Sequence, residues 1–433
     1  MAVFTTVWLG QLFSIVGSGL TGFALGVWVF EQTGSATQYA LIGLFNVLPK
    51  IVLSPLAGVI ADKWDRRLAM IVSDAGAGIS TLVLALLLYA GRLEIWHIYA
   101  LTAISASFST IQWPAFAAAT TLLVPQKDLG RTNGMMQLGQ AAAEILSPAL
   151  AGVLLGVVRL EGVILIDFAT FILAVATLGC VRFPQPQEMD NAPRVLLKQE
   201  LAVGWKYIAA RQGLLGLLFL STAINFLWGM VGALITPMIL GFTSSEALGA
   251  IISIAGTGML IGGLVMSVWG GPKRRINGIL AFEFLSGVCF MLIGLRPVFW
   301  LTAVGAFFAH ITIAIVSGSN QAIWQCKVAP TVQGRVFATQ QTIASAAAPL
   351  AYLLAGPLAD RLFEPMLAPN GALAGSVGSI IGVGSGRGIG LLFIAMGLAK
   401  MTVTTIGYVH SRIRLVEDEL PDAAIPSSHI QPA

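Results

Sequence analysis

Charge is scarce in this sequence. Asp, Glu, Lys and Arg make up 10% of its 433 residues, where a soluble domain carries roughly 25%. With 56% hydrophobic residues and a mean hydropathy of +0.85, that shortage excludes the two or three soluble domains that length alone would allow. Cysteine is scarce too. Cys180, Cys289 and Cys326 fall in or beside apolar runs, so no disulfide framework is implied. There is no G-x-x-x-x-G-K-[ST] phosphate loop, no H-E-x-x-H and no Cys-x-x-Cys. Gly382-x-Gly384-x-Gly386 lacks the preceding strand and following acid of a dinucleotide site. No catalytic constellation, metal site or bound cofactor is expected. The net charge of +4 needs no nucleic-acid partner.

What is present is long apolar runs. A membrane-spanning helix needs about 20 such residues, a barrel strand only 9–11. Twelve runs qualify, near 3–29, 39–60, 68–90, 96–123, 132–158, 162–181, 213–240, 247–270, 276–295, 298–324, 335–358 and 388–410. The predicted fold is an all-α membrane protein of twelve transmembrane helices. Forty-eight glycines suit helices whose backbones approach closely in lipid. With the N-terminus inside, 17 of the 24 Lys and Arg residues fall in inner loops and tail. Five (Arg92, Arg159, Arg296, Arg361 and Arg387) fall outside, and Lys50 and Lys400 lie within spans. That bias predicts a multi-pass protein of the cell membrane with both termini cytoplasmic. The first run is too long for a signal peptide and has no basic residue before it, which leaves room for a start further upstream.

The stretch 182–212 is the longest polar interval between spans and carries Pro184, Pro186 and Pro193. It divides the chain into a bundle at 1–181, a linker at 182–212, a second bundle at 213–410 and a tail at 411–433. A repeat supports the division. Gly130-Arg131, Gln137 and Gly152 of the first half correspond to Gly334-Arg335, Gln341 and Gly356 of the second. Arginine to glutamine is six residues in both, and arginine to the last glycine is 21. The joint Asp62–Arg67 after span 2 corresponds to Lys273-Arg274-Arg275 after span 8, where the acid is lost. The segment 359–387, Gly- and Ser-rich toward its end, is read as an outer insertion, a mobile flap or interfacial loop.

Twelve spans in two halves, with Gly58-x-x-x-Asp62-Lys63-x-x-Arg66-Arg67 between spans 2 and 3, resemble the major facilitator superfamily. Asp65 stands where that signature usually has glycine. Thr33-Gly34-Ser35-Ala36, Leu48-Pro49, Trp113-Pro114-Ala115, Leu123-Val124-Pro125, Ser147-Pro148-Ala149-Leu150-Ala151-Gly152 and Gly386-Arg387-Gly388 are similar to its macrolide-efflux and enterobactin-exporter branch. The resemblance implies two six-helix bundles around a central cavity and alternating access. It implies an exporter of a hydrophobic or amphiphilic small molecule, such as a drug-like natural product or siderophore. The proton gradient is the expected energy source, and a monomer in the bilayer is expected. Two departures stand out: span 4 has no arginine, and span 5 has Ser-Pro-x-x-Ala-Gly in place of the antiporter Gly-Pro-x-x-Gly-Gly. Other readings are a lysophospholipid or lipid flippase and a non-transporting membrane sensor or scaffold.

The resemblance makes Gly58, Asp62, Arg66 and Arg67 a gate. Asp62 would meet the start of span 11 when the inner side closes. Asp74, only seven residues past Arg67, reads as a brace for that joint or for span 2, with proton carriage as the alternative. A charged group at the bilayer centre costs roughly 2.5–3.5 kcal/mol on insertion scales, so buried charges are candidate functional groups. Glu144 lies 13 residues past Arg131, about 20 Å deep at 1.5 Å per residue. It is either a proton carrier or a structural hydrogen-bond partner. Lys50, at similar depth, is a possible partner, and His310 in span 10 is either a further coupling candidate or a hydrogen-bonded packing residue. Asp167 and Glu283 read as structural. The cavity candidates are Gln11, Gln112, Trp113, Asn225, Trp228, Asn320, Gln321 and Trp324, on the four spans that line the cavity in the family.

Overall fold

The computed structural model describes residues 2–63, 65–125, 128–181, 197–329 and 332–420; of 2, 55–63, 118, 121–122, 129–130, 133 and 197–201 it describes the backbone alone. Helices account for nearly all of it. Spans 1 to 4 are α1 (Ala2–Thr33), α2 (Ala36–Lys63), α3 (Arg66–Tyr89) and α4 (Ile95–Leu123). Spans 5 and 6 are the two limbs of α5 (Leu129–Cys180). At 52 residues α5 is about 78 Å long at 1.5 Å per residue, more than twice a bilayer core of about 30 Å. Its break is Arg159, the one described non-glycine residue with positive φ, at 57°.

A linker helix, α6 (Leu197–Ala209), precedes α7 (Gln212–Leu240), α8 (Ser245–Trp269), α9 (Arg275–Leu295) and α10 (Phe299–Lys327), which are spans 7 to 10. Span 11 is α11 (Gln333–Ser345) with α12 (Ala347–Leu358), and span 12 is α15 (Arg387–Val409). Ten helices are long and apolar enough to cross a membrane among the described residues. One of them is α5, which crosses twice, and α4 completes the twelve.

Spans 1 to 6 pack together as one bundle and spans 7 to 12 as another. Small residues permit the closest approaches: a Cβ at Gly294 would collide with the Gly390 carbonyl, and one at Gly397 with that of Gly287. Side chains such as Val157, Leu264, Val268 and Ile406 stay exposed on the flanks, as a lipid-facing surface requires.

The segment 359–387 is folded. A π-helical turn, Ala359–Phe363, runs into α13 (Glu364–Met366), and α14 (Val377–Ile381) follows. Glu364 accepts hydrogen bonds from the Gly386 and Ile389 amides at 3.2 and 2.9 Å, capping the start of span 12. The flap reading is corrected accordingly: a carboxylate cap and Gly371, with no room for a Cβ against the Pro365 and Met366 carbonyls, hold the segment in place. The start of the tail is folded too, as α16 (Ser411–Arg414) and α17 (Val416–Glu419).

Candidate functional site

The two bundles meet at the face away from the chain termini, hereafter the far face. There Gly152 lies against Ser245 and Glu246, Gly249 against Pro148, Gly356 against Thr37 and Gly43 against Tyr352. The Tyr39 hydroxyl donates to Thr236 Oγ1 at 3.0 Å, and the Ser253 hydroxyl donates to the Ile145 carbonyl at 2.6 Å. Toward the terminal face the bundles diverge and leave a cavity with two lobes. The second-bundle lobe, about 670 Å³, is lined by Asn225, Trp228, Glu283, Asn320, Gln321 and Gln341, among others. The first-bundle lobe, about 490 Å³, is lined by Gln11, Asp74, Gln112, Trp113 and Gln140. Lys50 borders both.

Seven of the eight cavity candidates line these lobes. Trp324 does not: it is 1% exposed, inside the core of the second bundle near the terminal face. His310 takes the packing place rather than the coupling one. Its Nδ1 lies 2.8 Å from the Ala306 carbonyl and its ring packs edge-on against Trp228, so it backs the cavity wall. Lys50 and Glu144 form no pair: the ammonium donates to Asn46 Oδ1 at 2.8 Å. Glu144 is exposed, one helical turn beyond Gln140 on the same face of span 5.

Asp74 corrects the sequence expectation most. It faces the cavity and lines it. It is 4% exposed and accepts a hydrogen bond from Gln11 Nε2 at 2.7 Å, while Gln112 Nε2 donates to Gln11 Oε1 at 2.6 Å. A buried carboxylate is thereby tied through neutral amides to the cavity wall, with no cation paired to it among the described residues. Two turns further along span 3, Thr81 donates to Asp167 at 3.4 Å, another buried carboxylate served by a neutral donor.

The second bundle treats its acid differently. Lys400 is fully buried, 2.7 Å from Glu283 and donating to Ser286 Oγ at 2.7 Å. Its ammonium lies 4.7 Å from the Trp228 ring centre and 4.6 Å from that of Phe290, close enough for cation–π attraction to both. Glu283 reaches the cavity lining, and Lys400 stands behind the aromatic wall.

At the joint, the Gly58 and Asp62 side chains lie outside the described residues. Arg67 reaches the end of span 6. Its Nε and Nη2 donate to the Leu178 and Gly179 carbonyls at 2.8 and 2.6 Å, satisfying the end of span 6 as a cation should. Arg66 is half-buried. Asp65, the departure from the signature, is the N-cap of span 3 and accepts from the Leu68 amide at 3.0 Å.

The Major Facilitator Superfamily model matches residues 7–352. The chain belongs to the Major Facilitator Superfamily. It is therefore a multi-pass membrane transporter rather than an enzyme. Macrolide efflux protein A of Streptococcus pyogenes is 30% identical over 371 residues, covering 83% of this chain and 90% of that protein. The enterobactin exporter EntS of Shigella flexneri is 27% identical over 322 residues, 71% of this chain and 75% of that one. The multidrug efflux pump Tap of Mycobacterium tuberculosis is 27% identical over 374 residues, 81% and 85%. Among solved structures, a bacterial homologue of the human lysosomal transporter Spinster, inward-facing and unoccupied, superposes with a TM-score of 0.71. It is 12% identical and covers 96% of this chain and 98% of that one. The nucleoside transporter NupG gives 0.70 at 11% identity, covering 94% and 99%. At such identities the structural likeness carries the fold of this superfamily member alone.

Sequence reasoning missed Asp74, Glu283, Gln140 and Tyr352 as lining residues. One signal was available: the repeat pairs Gln137 with Gln341, and Gln341 lines the cavity while Gln140 lies one turn from Gln137.

Proposed function

We propose that this transporter is a secondary active exporter of a hydrophobic or amphiphilic small molecule, driven by the proton gradient. The observation that carries this reading is the cavity, open toward the Lys- and Arg-rich terminal face and closed at the far face. With that face cytoplasmic, as the charge bias supports, the cavity is inward-open and positioned to load cargo from the cell interior. Amides of Gln11, Gln112, Asn225, Asn320 and Gln321 beside Trp113 and Trp228 suit a ligand with a broad apolar surface and scattered hydrogen-bonding groups. The volumes suit a drug-sized molecule. The efflux pumps among the relatives support the direction and the cargo class. An open cavity with a polar lining favours carriage over the sensor reading.

Two carboxylates are candidates for the proton. Asp74 is tied to the cavity wall, and Glu144 is exposed on the cavity-facing side of span 5. A carboxylate held by neutral donors can gain or lose a proton without stranding a cation. Inside-out membrane vesicles test carriage and direction together. With an imposed gradient, acid inside, Hoechst 33342 is expected to accumulate, and nigericin is expected to abolish the accumulation. Accumulation unaffected by nigericin, or none above empty-vector vesicles for Hoechst 33342, ethidium and erythromycin alike, contradicts the proposal.

A further inference from the structure

At the far face one carboxylate holds the bundles together. Asp360 lies in the turn that extends span 11. Its Oδ2 accepts from the Ser35 hydroxyl at 2.6 Å and the Thr37 amide at 2.8 Å. Its Oδ1 accepts from the Ala36 amide at 3.0 Å. These donors form the first turn of span 2, where helical N–H groups have no partner within their own helix. Ser35 also accepts from the Gln38 amide at 3.3 Å, so Asp360 completes a cap that Ser35 begins. The cap crosses between bundles, and a side chain from the second finishes a helix of the first. Gly356, with no room for a Cβ beside the Thr37 backbone, lets the two helix ends come this close.

The placement is costly unless it is used. Asp360 sits within two turns of the end of its own helix, where the partial negative charge of the terminal carbonyls disfavours a carboxylate. Span 2 compensates for this with its own positive end. Glu364, one turn on, caps span 12 inside the second bundle, and that contact can persist through any motion between bundles. The Asp360 contacts cannot. If the far face opens, all three are lost.

We propose that Asp360 is the far-face gate residue of this transporter, a latch that holds the cavity open to the terminal face and is released when the far face opens. The family resemblance gives Asp62, at the opposite end of span 2, the matching role against the start of span 11 once the terminal face closes. Spans 2 and 11 each carry an acid toward the C-terminal end, and in this structure it is Asp360 that meets the other helix's N-terminus. The latches alternate: engaging one requires the other to part. The proposal presupposes the alternating-access cycle but no particular cargo or driving ion.

The test needs no substrate. In a background with the three native cysteines replaced by serine, spin labels at Arg92→Cys and Arg296→Cys report the separation of the bundles at the far face. Asp360→Ala is expected to raise the ratio of far-open to far-closed molecules by about tenfold, as loss of charge-assisted hydrogen bonds implies. Ser35→Ala, on the other bundle, is expected to shift it the same way by less. Adding Asp62→Asn to Asp360→Ala is expected to reverse part of the shift. If Asp360→Ala does not fold, Asp360→Asn and Ser35→Ala carry the test. Distance distributions unchanged from the parent in the folded variants overturn the latch and leave the export proposal standing, since that rests on the vesicle assay.

Discussion

The two bundles bury acid in opposite ways. In the first, Asp74 and Asp167 are met by neutral donors, Gln11 and Thr81. In the second, Glu283 is locked to Lys400, with Ser286, Trp228 and Phe290 around the ammonium. A lone buried carboxylate can change its protonation state at modest structural cost. A buried ion pair cannot lose one charge without stranding the other. Under the proposed proton coupling, the difference favours the first bundle as the place where the proton is carried; in the second, Lys400 holds Trp228 from behind.

The joints after span 2 and span 8 differ in the same instructive way. Asp65 caps span 3 from within the joint. The repeat-related joint has Arg274 at the cap position of span 9 and no side-chain cap of its own. The missing acid is supplied from the tail: Glu417 accepts from the Ile276 amide at 2.8 Å, and Arg274 lies 3.7 Å from Asp418. Lys327 fastens that tail through the Glu417 and Leu420 carbonyls.

The largest expected effect is in the second bundle. Lys400→Met alone leaves Glu283 buried and unpaired, and is expected to cost about 3–5 kcal/mol. Combining it with Glu283→Gln is expected to recover most of that. Thermal unfolding in detergent measures both. Equal losses in the single and double variants would remove the pair's special status. Next come the caps. Asp65→Ala and Glu417→Ala should each cost about 1 kcal/mol, and Asp65→Gly, which restores the family's usual residue, only a few tenths. A larger loss from Asp65→Gly than from Asp65→Ala would contradict the cap assignment. A small stability effect, about 1 kcal/mol or less, is also expected for Asp74→Asn, because an amide can still accept from Gln11. A loss as large as that of Lys400→Met would erase the contrast between bundles.

The spans were legible because lipid leaves a helix one way to satisfy its backbone, so apolar runs near 20 residues mark them directly. The cavity amides were legible too, since a polar side chain deep in a span needs a wet or bonded site. Depth along a helix says nothing about azimuth, and that explains the misplacements. Asp74, seven residues past Arg67, has the depth of a brace as much as of a proton carrier, and only its azimuth turns it to Gln11. Trp324 is on a lining helix but on its core side. In the 359–387 segment, glycine and serine suggest a mobile flap or an interfacial loop. Its order comes from Asp360 and Glu364, whose targets lie 323 to 325 and 22 to 25 residues away, beyond the reach of local pattern.

The proton assignment is the centre of the account, and purified protein in liposomes tests it when gradient-driven and gradient-free movement of Hoechst 33342 are measured in the same preparation. Asp74→Asn is expected to retain exchange of the dye across the bilayer without a gradient and to lose its uphill accumulation when a pH gradient is imposed. Uphill accumulation at the parental level in Asp74→Asn would contradict the division of labour between the two bundles.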